Sequence, residues 1–291
     1  MTIAVTGATG QLGRLVLDYL KEQVSSSELI ALVRSPAEAT DLGVTIRAFD
    51  YDKREVLEPA LGDIDTLLLI SGPVPGVRVA QHRNVINVAK RAGVRRIVYT
   101  SALHADTSPL DIAVDHRATE ADVKASGIGY TILRNGWYTE NYTDSIPTAL
   151  GAGAFFGCAD DALISSATRT DYAEGAAAVL TGTGHEGRTY ELAGDEAWTM
   201  SDLAFEVSRQ TGRTIPYKDL PQEQYMKLLT SVGVPEELAQ AIVGWDLAAA
   251  QGALFDASHQ LSRLIGRPTT QLPAAVADAL RSLGVGVAKA K

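Results

Sequence analysis

The stretch "AVTGATGQLG", from Ala4 to Gly13, decides the fold of this chain. A short apolar run leads into it, and glycines follow at Gly7, Gly10 and Gly13. A strand that delivers the chain to a glycine-rich turn opening a helix directs backbone N–H groups and the positive helix end at a pyrophosphate. The stretch therefore predicts a dinucleotide-binding turn, with a ligand-free turn as the alternative. The predicted cofactor contacts in it are Gly7, Ala8, Thr9, Gly10, Gln11 and Leu12.

Short apolar runs alternate with amphipathic stretches from the N-terminus to about residue 134. Strands that are nearly all apolar are buried on both faces, and their alternation with helices predicts a parallel sheet with right-handed crossovers. The predicted class is α/β, a doubly wound Rossmann sheet. Residues 1–135 form its NADP-binding domain, and residues 136–291 form a smaller α/β substrate-binding lobe that returns one or two elements to the sheet. Predicted strands are 3–5, 29–33, 44–49, 67–70, 97–99 and 130–133, and predicted helices are 11–21, 81–92 and 113–126.

Composition bounds the class of protein. The net charge of -9 and the pI of about 5.1 disfavour binding to nucleic acid. The single cysteine, Cys158, cannot form an internal disulfide, and no histidine and cysteine cluster has zinc spacing. No leader pattern or apolar run of membrane-spanning length is present, so we expect a cytoplasmic protein without a metal or a membrane span. A homodimer is left open.

The ends of the next predicted strands carry further cofactor candidates. The second strand ends at Arg34, where NAD-specific folds carry an acid, and a guanidinium there can bind a 2′-phosphate. This predicts NADPH as the preferred cofactor, with weaker use of NADH, unless Arg34 is only a solvated charge. Asp50 is a candidate for the adenine amino group or for a turn. Ser71 and Gly72 follow the fourth strand and are candidates for the cofactor ribose or for a loop.

Several runs resemble a known family. The stretches "TGATGQLG", "LVRSP" and "RNGWYTENY" resemble the NmrA-like branch of the atypical short-chain dehydrogenases. Within that branch, "QHRNVINVAK", "SALHADTSPL" and "LRNGWYTENY" resemble the bacterial quinone oxidoreductases of type 2, with triphenylmethane dye reductases as near relatives. The resemblance extends over nearly the whole chain. It implies NADP(H) as cofactor and a small-molecule quinone or dye as partner.

Typical members of the wider family pair a tyrosine acid with a lysine four residues later, supported by a serine. Ser101 ends the fifth strand, where that serine is expected, but no tyrosine in this chain is followed by a lysine at that distance. By resemblance, Ile112 occupies the position of the tyrosine and His116 that of the lysine. A ketone would leave a strongly basic alkoxide, whereas a quinone leaves a weakly basic phenolate that water can protonate. The missing pair therefore favours quinones and cationic dyes over ketones.

The segment "LRNGWYTENY" follows the sixth predicted strand and supplies candidate site residues. We expect it to reach the crevice between the lobes, where Trp137 or Tyr138 could stack on a flat ring, or instead hold the lobes together. Its asparagines could orient the nicotinamide amide or the acceptor carbonyl. The predicted catalytic residues are Asn135, Tyr138, Asn141 and His104. Further predicted cofactor contacts are Ser101, Asn135, Gly136, Trp137 and Tyr138.

The histidines have alternative interpretations. His104 is either a hydrogen-bond partner of a quinone oxygen or a solvated loop residue. His116 either holds the ribose in place of the lysine or lies on the helix surface near Glu120 at i+4. His82 and His185 are interpreted as surface residues.

The first hypothesis is an NADPH-dependent quinone reductase in which hydride passes from the nicotinamide to a quinone stacked in the inter-lobe cleft. The proton would come from solvent or a nearby hydroxyl. A second hypothesis is a regulator that senses NADP(H), binds a partner protein and turns nothing over. A third is a reductase of triarylmethane or azo dyes, which has the same mechanism and a different pocket shape.

Overall fold

The computed structural model describes residues 1–72, 74 and 76–285. They form two compact units. The first contains Met1–Asn135, Arg169–Leu192 and Arg263–Arg267. The second contains Gly136–Thr168, Ala193–Ser262 and the described residues from Pro268 onward. Residues 169–192 thus lie beyond the predicted boundary but belong to the first unit.

The first unit is built on a seven-stranded sheet in which every pairing is parallel. In chain order, its strands are β1 (Ile3–Thr6), β2 (Leu29–Val33), β3 (Thr45–Ala48), β4 (Thr66–Leu69), β5 (Arg96–Ala102), β6 (Gly129–Asn135) and β8 (Arg188–Leu192). Their order across the sheet is β3-β2-β1-β4-β5-β6-β8. β1, β2 and β4 are buried along their whole length, as near-continuous apolar runs require. The predicted doubly wound α/β fold is confirmed.

The helices of the first unit form two groups. The helices are α1 (Gln11–Lys21), α2 (Arg54–Ala60), α3 (Arg78–Ala92), α4 (Ile112–Ala125) and α7 (Arg169–Thr181). α1 packs against α7, whereas α3 packs against both α2 and α4. The second group covers a buried core to which β1, β2, β4 and β5 contribute alternate side chains, among them Ala4, Leu67 and Tyr99.

The second unit is mainly helical. Its strands β7 (Phe155–Gly157) and β9 (Tyr217–Asp219) pair in parallel. Its helices are α5 (Glu140–Thr143), α6 (Ile146–Ala152), α8 (Met200–Thr211), α9 (Gln222–Ser231), α10 (Glu236–Ala250) and α12 (Leu272–Ser282), while α11 (Gln260–Ile265) has residues in both units. A small core around Cys158, Tyr225 and Val243 holds this unit together. No helix within the described part of the chain is long and apolar enough to cross a membrane.

The strand order places a topological switch point between β1 and β4. From β1 the chain proceeds to β2 and β3 on one side, and from β4 it proceeds to β5, β6 and β8 on the other. In open parallel sheets, ligands bind in the crevice at the carboxyl ends of the strands beside such a point. The residues that follow β1 and β4 therefore lie where this class of sheet binds ligands.

Candidate active site

The glycine turn after β1 favours glycine at two positions, one for its backbone conformation and one for close packing. Gly7 has φ +58°, in the left-handed region, and its carbonyl accepts the N–H of Gly10 at 2.9 Å. A Cβ on Gly13 would lie 2.3 Å from the Gly7 carbonyl oxygen. Gly13 therefore lets α1 pack directly on the turn. Because the N-cap residue Gly10 gives α1 no side-chain cap, the N–H groups of its first turn stay available to an anion.

The other predicted residues of this turn divide by burial. Ala8 and Leu12 point into the core, so only their backbone groups can contact a ligand. Thr9 and Gln11 are exposed. The structure thus presents a row of backbone amides flanked by two polar side chains at the switch point.

Arg34 follows β2 directly and is exposed. Its guanidinium makes no hydrogen bond or ion pair with any residue that the structure describes. Asp50, after β3, accepts the N–H of Asp52 at 3.1 Å and pairs with Lys53 at 3.5 Å. Asp50 therefore has a turn role, and its adenine contact stays a prediction.

The backbone after β4 is held by buried side chains. The N–H of Ser71 donates to Thr100 Oγ1 on β5 at 2.9 Å. The N–H of Gly72 donates to His82 Nε2 at 3.0 Å, and its carbonyl accepts from Arg78 Nε at 2.7 Å. Ser71 and Gly72 thus lie at the same sheet edge as the glycine turn, and their position is fixed.

Two of the histidine interpretations are wrong. His82 is fully buried rather than on the surface, because hydrogen bonds at both ring nitrogens offset the cost of burying it. His116 is also buried rather than on the helix surface, and it bonds the hydroxyl of Tyr99 at 2.8 Å. Its ribose contact stays a prediction. His185 is half-buried and bonds the Tyr190 hydroxyl at 2.8 Å.

The two buried histidines predict a loss of stability in mild acid. Burial lowers the pKa of His82 to about 3 and that of His116 to about 4, from an ordinary value of 6.5. At pH values between these lowered pKa values and 6.5, the unfolded chain binds more protons than the folded protein does. The free energy of unfolding therefore falls as the pH drops below about 6.5. We expect each histidine to contribute on the order of 1.4 kcal/mol per pH unit over this range. Urea unfolding at pH 7.5 and pH 5 measures it, and a His116→Gln variant should show a shallower dependence; an unchanged slope would contradict this origin.

Ser101 belongs to a buried ion network that the sequence did not reveal. Its hydroxyl donates to Glu120 Oε1 at 2.6 Å. Arg134 binds both carboxylate oxygens of Glu120 at 2.9 Å and also Glu191 at 2.7 Å. Burial raises the pKa of Glu120, but the hydrogen bonds from Arg134 and Ser101 outweigh it and the net pKa is lowered. The one available signal was a lone arginine inside the strand run "TILRN".

His104 lies in the loop after β5 with φ +50°. Its backbone N–H donates to Glu191 Oε2 at 2.8 Å, and its ring Nδ1 lies 3.7 Å from the same oxygen. The side chain is 31% exposed. The loop is thus tied to the ion network, while the ring keeps access to a ligand at this edge of the sheet.

Asn135 ends β6 with an unsatisfied side-chain acceptor. Its main-chain carbonyl accepts the N–H of Leu103 at 3.0 Å. Its side-chain Oδ1 is buried and has no hydrogen-bond partner among the described residues. A buried acceptor without a donor costs free energy, so this atom marks a position where a ligand donor would be stabilising.

The predicted residues after Asn135 lie in the second unit. Gly136 is buried, and Trp137 and Tyr138 are half-buried. The Trp137 ring meets that of Trp245 on α10 edge to face, with centroids 5.7 Å apart. Asn141 is exposed on α5. The cofactor and acceptor roles of these residues stay predictions, and Trp245 is an aromatic neighbour that the sequence pattern did not indicate.

The chain is similar to known proteins over most of its length. The NAD(P)H-binding family matches residues 7–183 of this chain. The chain is 51% identical to Quinone oxidoreductase 2 of Escherichia coli over 277 residues, which covers 94% of this chain and 97% of that protein.

Solved structures agree with the fold. The Escherichia coli NADPH-dependent quinone oxidoreductase in complex with NADPH has a TM-score of 0.93 at 51% identity, covering 95% of this chain and 99% of that one. Triphenylmethane reductase from Citrobacter sp. in complex with NADP(H) has a TM-score of 0.93 at 37% identity, covering 96% of this chain and 100% of that one. The glycine turn from Gly7 to Gly13 and the residues that follow β2 and β4 lie within the range that the NAD(P)H-binding family matches.

Proposed function

Because this chain belongs to the NAD(P)H-binding family and is similar over most of its length to Quinone oxidoreductase 2 of Escherichia coli, we propose that it reduces quinones with NADPH. The cofactor supplies the hydride when bound. The chain holds and orients the reactants, and it does so without a tyrosine and lysine acid pair.

The residues present fit a dinucleotide. The backbone amides of the turn from Gly7 to Leu12, except that of Gly10, which donates to the Gly7 carbonyl, would hold the pyrophosphate, since the uncapped α1 leaves them without side-chain partners. The close packing at Gly13 leaves no room for a side chain between that turn and α1. Asn135 Oδ1, buried and unpaired within the described chain, would accept a hydrogen bond from the carboxamide of the nicotinamide.

Arg34 is assigned to the 2′-phosphate. Its exposed guanidinium pairs with no acid among the described residues, so it is available to a dianion. We expect Arg34→Ala to raise the KM for NADPH by roughly 10- to 100-fold, because it removes charge-assisted hydrogen bonds, and to leave the KM for NADH nearly unchanged. Steady-state kinetics with both cofactors measures this.

A matched control is Arg263→Ala, which removes another exposed arginine, in the last turn of α11. It should change neither KM. Equal effects of Arg34→Ala on both cofactors would contradict the assignment.

The residues of α4 are the observation on which the proposed reaction type rests. Where the family's acid pair would stand, the chain has a half-buried Ile112 and a buried His116 that bonds Tyr99. Hydride uptake by a ketone leaves a strong base that needs such an acid, worth roughly 10²- to 10⁴-fold in rate. A quinone leaves a phenolate that water protonates. The chain is therefore suited to quinones, and we assign acceptor contacts in the first unit to His104 and Asn135.

A panel of acceptors tests this function. NADPH oxidation at 340 nm is followed with a benzoquinone, menadione, a triphenylmethane dye and a simple ketone. We expect turnover with the quinones and none with the ketone. The similarity to triphenylmethane reductase supports the dye as a second acceptor class. Ketone turnover as fast as quinone turnover would contradict the proposal, and tight NADPH binding without any turnover would indicate the sensing role instead.

A further inference from the structure

His82 forms a hydrogen-bond chain whose direction is fixed. The N–H of Gly72 can only donate, so His82 Nε2 accepts and the proton of the neutral ring is on Nδ1. Nδ1 then donates to Thr119 Oγ1 at 3.0 Å. The Thr119 hydroxyl donates in turn to the main-chain carbonyl of Asp115 at 3.0 Å. The ring can accept the hydrogen bond from the Gly72 N–H only as the neutral tautomer that is protonated at Nδ1.

Arg78 holds the opposite side of the same residue. Its Nε donates to the carbonyl of Gly72 at 2.7 Å, and its NH1 pairs with Asp115 at 3.3 Å. The arginine side chain is 7% exposed. Both backbone polar groups of Gly72 are therefore bonded to buried side chains of α3. Each of those side chains is also linked to Asp115: Arg78 pairs with it directly, and His82 reaches its main-chain carbonyl through Thr119.

This arrangement is more than a core needs for packing. A buried histidine and a buried arginine both cost free energy to desolvate, and apolar residues of similar volume would pack there without that cost. What the polar pair adds is a defined position for one backbone segment. That segment follows β4, beside the topological switch point, where it faces the crevice that binds ligands in this class of sheet.

We infer that His82 and Arg78 are positioning residues of the cofactor site, which act through the backbone of Gly72 and do not touch the cofactor. The inference rests on the proposed function and adds to it a determinant that lies behind the site. These two side chains of α3 fix the position of the Ser71 and Gly72 backbone at the crevice. They thereby fix the backbone that would contact the cofactor ribose.

The test compares two substitutions of His82. Gln supplies an acceptor and a donor, whereas Phe keeps the ring shape and supplies neither. The Kd for NADPH is measured by fluorescence titration of the full-length protein without acceptor. The conditions are ones in which circular dichroism shows that each variant is folded. We expect His82→Phe to weaken NADPH binding roughly tenfold or more, with kcat changing less than KM, and His82→Gln to remain within about threefold of the wild type. Arg78→Leu, which leaves His82 in place, provides a second variant if His82→Phe does not fold.

Val88→Ala is the matched control for stability. Val88 is fully buried on the same helix and bonds no part of Gly72. It should lower the unfolding free energy without changing the Kd for NADPH. Wild-type Kd values in His82→Phe and Arg78→Leu, or equal weakening in Val88→Ala, would overturn the inference and leave the proposed function intact. A wild-type protein that binds no NADPH would overturn both.

Discussion

Gly13→Ala is expected to lose NADPH binding by roughly 100-fold or more. The added Cβ would lie 2.3 Å from the Gly7 carbonyl oxygen, 2.8 Å from Ala8 Cα and 2.9 Å from the Gly7 carbonyl carbon. All three are backbone atoms of the turn, so the turn or α1 must shift. A shift of this size withdraws several N–H groups from the pyrophosphate, each worth about 1.5 to 3 kcal/mol when it bonds a charged group. Overpacking also costs about 1 to 3 kcal/mol of folding free energy.

The same substitution at Gly244 is the control. Gly244 lies in α10, and nothing comes within 4 Å of the position its Cβ would take. Alanine there should stabilise the protein by roughly 0.5 to 1 kcal/mol, because glycine is a poor helix former. Fluorescence titration with NADPH and urea unfolding measure both variants. A Gly13→Ala protein that binds NADPH as the wild type does would contradict the role of close packing in the turn.

Arg134→Met is expected to destabilise the protein by about 3 to 5 kcal/mol, which is the usual cost of removing one partner of a buried ion pair. Arg134 and Glu120 have side chains 7% and 4% exposed, so the remaining carboxylate would be buried without its main partner. Adding Glu120→Gln should recover part of the loss, since a neutral amide tolerates burial better. The unfolding free energies of the single and double variants provide the measurement.

A surface ion pair provides the control for the buried one. Arg83 pairs with Asp122 between α3 and α4, with side chains 55% and 28% exposed. Arg83→Met should cost no more than about 1 kcal/mol. If Arg134→Met cost as little, the network around Glu120 would not hold the carboxyl ends of β5, β6 and β8 together.

Much of the first unit was predictable because each element follows a local rule. The predicted helix 11–21 matches α1, since the glycine turn marks its start and its apolar spacing marks its face. The predicted strand 29–33 matches β2, because a strand buried on both faces is a continuous apolar run that can be identified from the local sequence alone. The boundaries of β5 were missed: the strand continues through Thr100 and Ser101, polar residues whose hydrogen bonds are made by distant parts of the chain.

The buried polar side chains of the site were not predictable from the pattern. His82 lies on a helix whose sequence, "RVAQHRNVINVAKRA", has charged and polar residues on both sides of it. Its partners, Gly72 and Thr119, are 10 and 37 residues away in sequence. Burial of a polar group depends on such distant partners, and no local periodicity carries that information. The same reason hid the pairing of Arg134 with Glu191, 57 residues apart.

A single-turnover experiment tests the central claim most directly. Wild-type protein saturated with NADPH is mixed anaerobically with menadione, and absorbance at 340 nm is recorded against samples with NADH and without protein. We predict that one equivalent of NADPH is consumed per equivalent of quinone. When the two cofactors are supplied at the same subsaturating concentration, NADH is consumed at least roughly tenfold more slowly, because Arg34 strengthens the binding of NADPH through charge-assisted hydrogen bonds. Bound NADPH whose absorbance does not change when quinone is added would contradict the account.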